Sequence, residues 1–216
     1  GYIREAQSIS TYATLATIIF QTNQNEQHGG QAIPAFDFYM AKGVLKSFRR
    51  HLKRRILSFA EIRNGVEITK EFENNAKEFL LKNISSIKCN ENEIKLLEEY
   101  FKINKNDLIK LLVEAYEDTK NETYQAMEGF LHNLNTMHSR GGNQVVFSSI
   151  NYGTDTSEEG RMVIRELLKA TSSGLGKNET PIFPIQIFKV KEGLNYTEND
   201  YNLAQSDFDE ALKSVK

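Results

Sequence analysis

QVVFSSINYGTDTSEEGRMVIRELLKATSSGLGKNETPIFPIQIFKV, residues 144–190, reads as strand, helix and strand in one continuous stretch. Its first part, residues 144–152, is rich in strand formers and is bounded by Gly141-Gly142 and Gly153. A helix follows, in which Thr156 and Glu159 stand at capping-box spacing and Val163, Ile164, Leu167, Leu168 and Thr171 share one face. A loop at 174–178 leads into IFPIQIFKV, residues 182–190, apolar almost without a break. A strand of that kind is usually covered on both faces, as in a parallel sheet or barrel. Pro184 within it predicts a bulge or an edge position. Strand, helix, strand is by default a right-handed crossover, so the expected class is α/β and rich in helix.

Working outward, residues 8–27 predict a helix, with Ile9, Tyr12, Ala13, Ala16, Ile19 and Phe20 on one face. Ser10, Thr14, Thr17, Gln21 and Gln24 fall largely on the other. Gly29-Gly30 stops that helix, and residues 31–34 leave it as a short extended segment. A second helix spans about 37–62 and carries the basic run Arg49-Arg50-His51-Leu52-Lys53-Arg54-Arg55. Residues 67–105 turn rich in Lys, Glu and Asn and read as an insertion or a solvent-facing arm. A long helix from 105 to 137 follows, capped by Asn104, with Leu108, Leu111, Ala115, Met127, Phe130 and Leu134 in its stripe. No proline lies between Ala35 and Thr180, which favours long unbroken helices there. A short acidic helix at 201–215 ends the chain. The expected division is 1–66, a polar arm at 67–104, and 105–216.

Composition narrows the functions. With 39% hydrophobic and 26% charged residues, the 216-residue chain has an ordinary soluble make-up and enough length for one substantial core. A net charge of −2 gives no electrostatic case for nucleic acid or an acidic membrane. No apolar run approaches the ~20 residues that span a bilayer, and no signal-peptide layout opens the chain. The single cysteine, Cys89, forms no internal disulfide and supplies no multi-cysteine metal site, and a cytoplasmic setting is the simplest expectation. Nothing around Cys89 suggests the electropositive niche of a reactive thiolate. His28, His51, His132 and His138 have no metal-ligand spacing.

Two segments carry more polar groups than packing requires. In Asn23-Gln24-Asn25-Glu26-Gln27-His28-Gly29-Gly30-Gln31, amides crowd a helix end where paired glycines let backbone approach a ligand. The plainer reading is a helix cap with solvated side chains. The second segment is 137–155. There Ser139, Arg140 and the Gly141-Gly142 amides suit a phosphate, while Ser148, Ser149 and Asn151 suit a sugar. Its plainer reading is a turn followed by a strand whose serines point outward. The basic run could meet phosphates, but such a run is usually a solvated helix face.

At these places the chain resembles a known family. REAQSISTYATLATIIFQTNQNEQHGGQAIPAFDFYMAKGV (4–44), MHSRGGNQVVFSSINYGTDTSEEGRMVIRELLKAT (137–171) and GLGKNETPIFPIQIFKVKEGLNY (174–196) are similar to anaerobic, class III ribonucleoside-triphosphate reductases. The middle, about 67–123, matches only as a helical region. The resemblance implies part of a ten-stranded α/β barrel of the glycyl-radical enzyme type, in which ribonucleoside triphosphates are reduced to deoxyribonucleoside triphosphates. It implies a substrate side formed by 137–155, with Ser139, Arg140, Ser148, Ser149 and Asn151 as contacts. It also implies a homodimer tuned by deoxynucleotide effectors, for which Gln21, Gln24 and Lys46 are candidates, and an ATP-binding regulatory region that is expected to be missing here. A glycyl radical, zinc, and an iron–sulfur activase using S-adenosylmethionine belong to the intact family enzyme.

Residues for that chemistry are expected to be missing here. No glycyl-radical motif, four-cysteine zinc site or barrel-loop cysteine is legible, and Cys89 matches none of them. The expectation is therefore an internal piece, excised or from a split or truncated gene, that does not turn over alone. Two other readings stand beside it. One is a non-catalytic assembly or deoxynucleotide-binding remnant, the other a glycyl-radical relative acting on a different substrate.

Overall fold

The computed structural model of the chain describes residues 4–26, 29–65, 67–136 and 145–195. In chain order these form α1 (Ile9–Glu26), β1 (Gln31–Ile33), α2 (Phe36–Asn64), α3 (Lys70–Asn83), α4 (Glu91–Phe101), α5 (Lys105–Thr136), β2 (Ser148–Tyr152), α6 (Glu158–Ser173) and β3 (Ile185–Phe188). The proline-free middle does form long helices, of 29 residues in α2 and 32 in α5. The acidic helix expected at 201–215 lies outside the described residues.

Helices α1, α2, α5 and α6 pack around one core, in which Phe36, Phe48, Phe130, Leu52 and Met127 are fully buried. Each such side chain contributes roughly 1.5–3 kcal/mol by leaving water. Where α1 crosses α2, Gly43 makes room: a Cβ there would lie 2.9 Å from the Tyr12 ring and 3.0 Å from Ile9 Cα. The α1 face differs from the expected one. Ile19 is 51% exposed, whereas Thr17 and Gln24 are buried. Thr17 is tolerated inside because its hydroxyl donates to Ala13 O (3.0 Å).

Asn104 caps α5 as expected, its Oδ1 accepting from Asp107 N (2.9 Å). The cap of α6 falls one residue later than the spacing predicts. Ser157, and not Thr156, accepts from Gly160 N (3.0 Å), which frees Glu159 for another use. Its carboxylate is buried and accepts from Ile87 N (2.7 Å). Glu93 binds Ser85 N and Asn90 N, and Arg49 Nε donates to Ile84 O (3.0 Å). These groups tie the turn between α3 and α4 to the body. The stretch expected to face solvent therefore does so only on its outer side: Leu80, Ile84, Ile87 and Leu97 are buried in the main core.

The three strands form one parallel sheet in the order β1-β2-β3. Gln31 pairs with Ser148 and Ile33 with Ile150, while Ser149 pairs with Ile185 and Asn151 with Ile187. Since strand side chains alternate, Gln31, Ile33, Ser148, Ile150 and Tyr152 point to one face. Ile150 and Tyr152 are buried there against the helices. Ala32, Ser149, Asn151, Ile185 and Ile187 point to the other. This second face corrects the expectation that residues 182–190 are covered on both sides. Ile182, Ile185, Ile187 and Val190 are 73%, 57%, 44% and 63% exposed, because β3 is an edge strand and its outer face carries no described element. Pro184 stands just ahead of β3, after a cis peptide bond, and not inside the ladder.

Candidate functional site

The polar residues picked out along β2 divide between the two faces of the sheet. Ser148 faces the helices, is 3% exposed, and donates its hydroxyl to Val146 O (3.1 Å). Ser149 and Asn151 stand on the bare face, flanked by Ile185 and Ile187 of the next strand. Ser149 Oγ has only a long contact, 3.4 Å, to Gln31 O. Asn151 Oδ1 is buried and has no hydrogen-bond partner among the described residues, an arrangement that costs about 1–3 kcal/mol for an acceptor of this kind. Ser139 and Arg140 lie outside the described residues.

A carboxylate holds the carboxyl end of β2. Asp37, fully buried in the first turn of α2, accepts from Gly153 N (2.8 Å), Asp155 N (3.1 Å) and Phe38 N (3.0 Å). Asn195, also buried, donates to Gly153 O (2.7 Å) and Lys189 O (2.8 Å), so the turn after β2 is bound to the turn after β3. Gly153 takes φ +113, and a Cβ there would lie 3.0 Å from Lys189 O; only glycine suits that turn. Beside it the Tyr152 phenol donates to Gln186 Oε1 (2.9 Å). Burial, reinforced by the Asp37 charge, pushes this phenol well above its ordinary pKa, so it stays protonated.

At the amino ends of the strands lies a cavity of about 490 Å³. Both polar segments of the sequence reach it: Gln24, Gly29, Gly30 and Gln31 from one, Ser148 and Ser149 from the other. Gln31 Nε2 donates to Phe20 O (2.9 Å) and lies 3.4 Å from Gln24 Oε1, while Gln31 Oε1 is buried without a partner. Sequence reasoning covered Gln31 only as the last residue of an amide-rich stretch, and did not single out Asp37 or Asn195. An acid in the first turn of a helix is a readable signal for Asp37; Asn195 offers none.

The three effector candidates do not come together. Gln24 lines the cavity, Gln21 is half-buried elsewhere on α1, and Lys46 lies at a different cleft. Lys46 is held by Glu5 (2.5 Å) and Ala6 O (2.8 Å), with its ammonium 5.4 Å from the Tyr12 ring centre. Desolvation opposes its charge, but the Glu5 and Tyr12 contacts prevail and raise its pKa. That cleft, about 290 Å³ between α2 and α3, also takes Arg49, Arg50, Lys53 and Lys77.

The basic run, expected as a solvated face, is instead spent largely on α5. Arg55 grips Asp118 through Nε (2.9 Å) and Nη2 (3.0 Å), and Arg54 adds a third contact (3.1 Å). Arg50 (2.6 Å) and His51 Nε2 (2.8 Å) meet Glu122. Burial works against the Glu122 charge, yet His51 and Arg50 overcome it and hold the carboxyl down at about 2. The reason is geometric: the run's spacing points these groups at acids one helix away. Cys89 is partly buried, and desolvation, with Glu93 and Glu159 nearby, pushes its thiol up to about 12.

The model of the family described as anaerobic ribonucleoside-triphosphate reductase matches residues 1–215. Among relatives, the chain is similar to the anaerobic ribonucleoside-triphosphate reductase of Haemophilus influenzae, 36% identical over 93 residues, which is 42% of this chain and 13% of that protein. It is also similar to the enzymes of that name from Escherichia coli K12, 34% identical over 92 residues (41% and 13%), and from Enterobacteria phage T4, 36% identical over 89 residues (41% and 14%). The matched stretch thus spans only 13–14% of the length of these curated relatives.

Proposed function

The chain belongs to the anaerobic ribonucleoside-triphosphate reductase family, and on that premise we propose that it supplies one wall of the ribonucleotide pocket in a longer reductase. The supporting observation is the bare face of a parallel sheet carrying Ser149 and Asn151 between apolar neighbours. Parallel strands are ordinarily covered on both sides. In a closed barrel the uncovered side faces the interior, where a substrate lies. Asn151 brings an amide whose oxygen has no partner, and Ser149 a hydroxyl with one long contact. Together they would hold the ribose hydroxyls in register. The walls beside them, Ile185 and Ile187, keep water from the sugar.

The ten-stranded barrel, the homodimer and the effector response belong to the same proposal. Exposed Ile18 and Ile19 on α1, with Phe38 and Tyr39 on α2, offer an apolar surface for a second copy. The cleft with Lys46, Arg49, Arg50, Lys53 and Lys77 suits the triphosphate of a deoxynucleotide effector. Zinc, the glycyl radical and the S-adenosylmethionine activase are a different matter. The chain's one cysteine, with its thiol near 12, does not fit a cysteine-ligated metal, and no cluster of metal-binding side chains occurs among the described residues. No step is assigned to these residues through those groups. No helix among the described residues is long and apolar enough to cross a membrane.

Steady-state kinetics of the full-length protein carrying Ser149→Ala test the reading. The expected result is a loss of kcat/KM for ribonucleoside triphosphates of about tenfold, the worth of one hydrogen bond to substrate. Wild-type kinetics would contradict it.

A further inference from the structure

Asn135 stands in the last turn of α5, just ahead of Ser139 and Arg140 in the chain. Its Oδ1 accepts from Ile182 N (2.9 Å) and Phe183 N (3.1 Å), and its Nδ2 donates to Phe183 O and Leu131 O (2.6 Å each). Two donors and two acceptor positions are all that a primary amide has, so the side chain is saturated. The bond to Leu131 O fixes the amide on its own helix. The other three grip the backbone immediately before β3, and Phe183 is held through both its N–H and its C=O, as a neighbouring strand would hold it.

That grip matters because β3 is weakly fixed by its own ladder. It has four residues and, among the described strands, pairs with β2 alone. A slip of one residue would turn every side chain of such a strand to the opposite face. Gln186 would then stand beside Ser149 and Asn151 in place of Ile185 and Ile187. Asn195 holds the far end of the strand through Lys189 O (2.8 Å), and Asn135 holds the near end. We infer that Asn135 is a positioning residue for the sheet face that bears Ser149 and Asn151: by fixing where β3 begins, it sets the apolar wall of Ile185 and Ile187 against them. The inference rests on the reading of that face as the ribose wall, and adds to it a residue that does not touch the sugar. Ile182 is exposed, so water can replace part of what Asn135 supplies, and the fold should survive its loss.

Calorimetric titration of the full-length protein with cytidine triphosphate, beside a melting curve, provides the test. A variant that melts well above the titration temperature has essentially all its sites folded, so its Kd reports their geometry. Asn135→Ala is expected to weaken binding about tenfold, and Asn135→Asp, which still accepts from both amides, about threefold. Ser149→Ala weakens it about tenfold by itself. In the double variant Asn135→Ala/Ser149→Ala the loss should fall clearly below the product of the two, because both act through one sugar contact, whereas a residue that serves only folding would show no such coupling. Wild-type affinity in a folded Asn135→Ala, or losses that multiply in full, would overturn the inference and leave the ribose wall standing. If Asn135→Ala does not melt cooperatively, Asn135→Asp decides in its place, and wild-type affinity there would overturn the inference equally. Wild-type affinity in Ser149→Ala would instead overturn the reading of the face itself, and this inference with it.

Discussion

Asp37 Oδ2 lies 2.8 Å from the amide nitrogen of Gly153, 116 positions further along the chain. Through this contact the first turn of α2 holds the carboxyl end of β2, and with it the strand that bears Ser149 and Asn151. Three backbone amides depend on that carboxylate. Replacing Asp37 by Ala leaves all three without this acceptor, the Gly153 amide in the interior and the other two partly buried. The expected destabilisation is about 3 kcal/mol, measured by urea unfolding, with Asp37→Asn intermediate. A change below about 0.5 kcal/mol would mean that the turn after β2 is held by other contacts.

Acid should loosen the α2–α5 interface through Glu122. Its carboxyl is held at about 2, below the ordinary 4.5 of a glutamate, with burial opposing the charge and the His51 and Arg50 hydrogen bonds outweighing it. A depressed carboxyl contributes stability that is fully present above its unfolded pKa and is lost as pH falls through the folded one. Between roughly pH 4.5 and 2 the fold should therefore lose on the order of 2 kcal/mol from this group. In Glu122→Gln the pH slope of unfolding should flatten over that window, leaving the part due to Asp118, which Arg55 also holds low. An unchanged slope would remove Glu122 from the account.

Cys89 should be nearly inert. With the thiol near 12, about one molecule in ten thousand is thiolate at pH 8. A colorimetric disulfide reagent should react with the native protein orders of magnitude more slowly than with protein unfolded in urea. Equal rates would show that the thiol is neither buried nor raised.

Local signals made much of this architecture legible. The strand-rich run ending at Tyr152, the apolar run through Phe188 and the stripe on α5 all reflect periodicities that the fold obeys. Tertiary geometry decided the rest. The turn in front of α6 presents both Thr156 and Ser157, and which of them caps depends on where Glu159 must point to reach Ile87 N. The basic run looks solvent-facing because its acid partners, Asp118 and Glu122, lie some 60 to 70 positions away. Coverage of β3 could not be read from composition, since an apolar edge strand and a buried central one have the same residues. For the site, the residue types of Ser149 and Asn151 pointed to a sugar, but their separation from Ser148 follows only from strand alternation in a known register. The meeting of the Gln24–Gln31 stretch with β2 depends on parallel pairing across 117 positions, Gln31 with Ser148.

The most direct test of the central claim is the affinity of full-length protein for a ribonucleoside triphosphate with Asn151 replaced by Ala, read by calorimetry beside a melting curve. Because Asn151 Oδ1 has no partner among the described residues, its removal should leave the melting temperature within about 2 °C of wild type. Affinity for the ribonucleotide should fall about tenfold or more. Wild-type affinity at an unchanged melting temperature would contradict the assignment of this sheet face to the substrate.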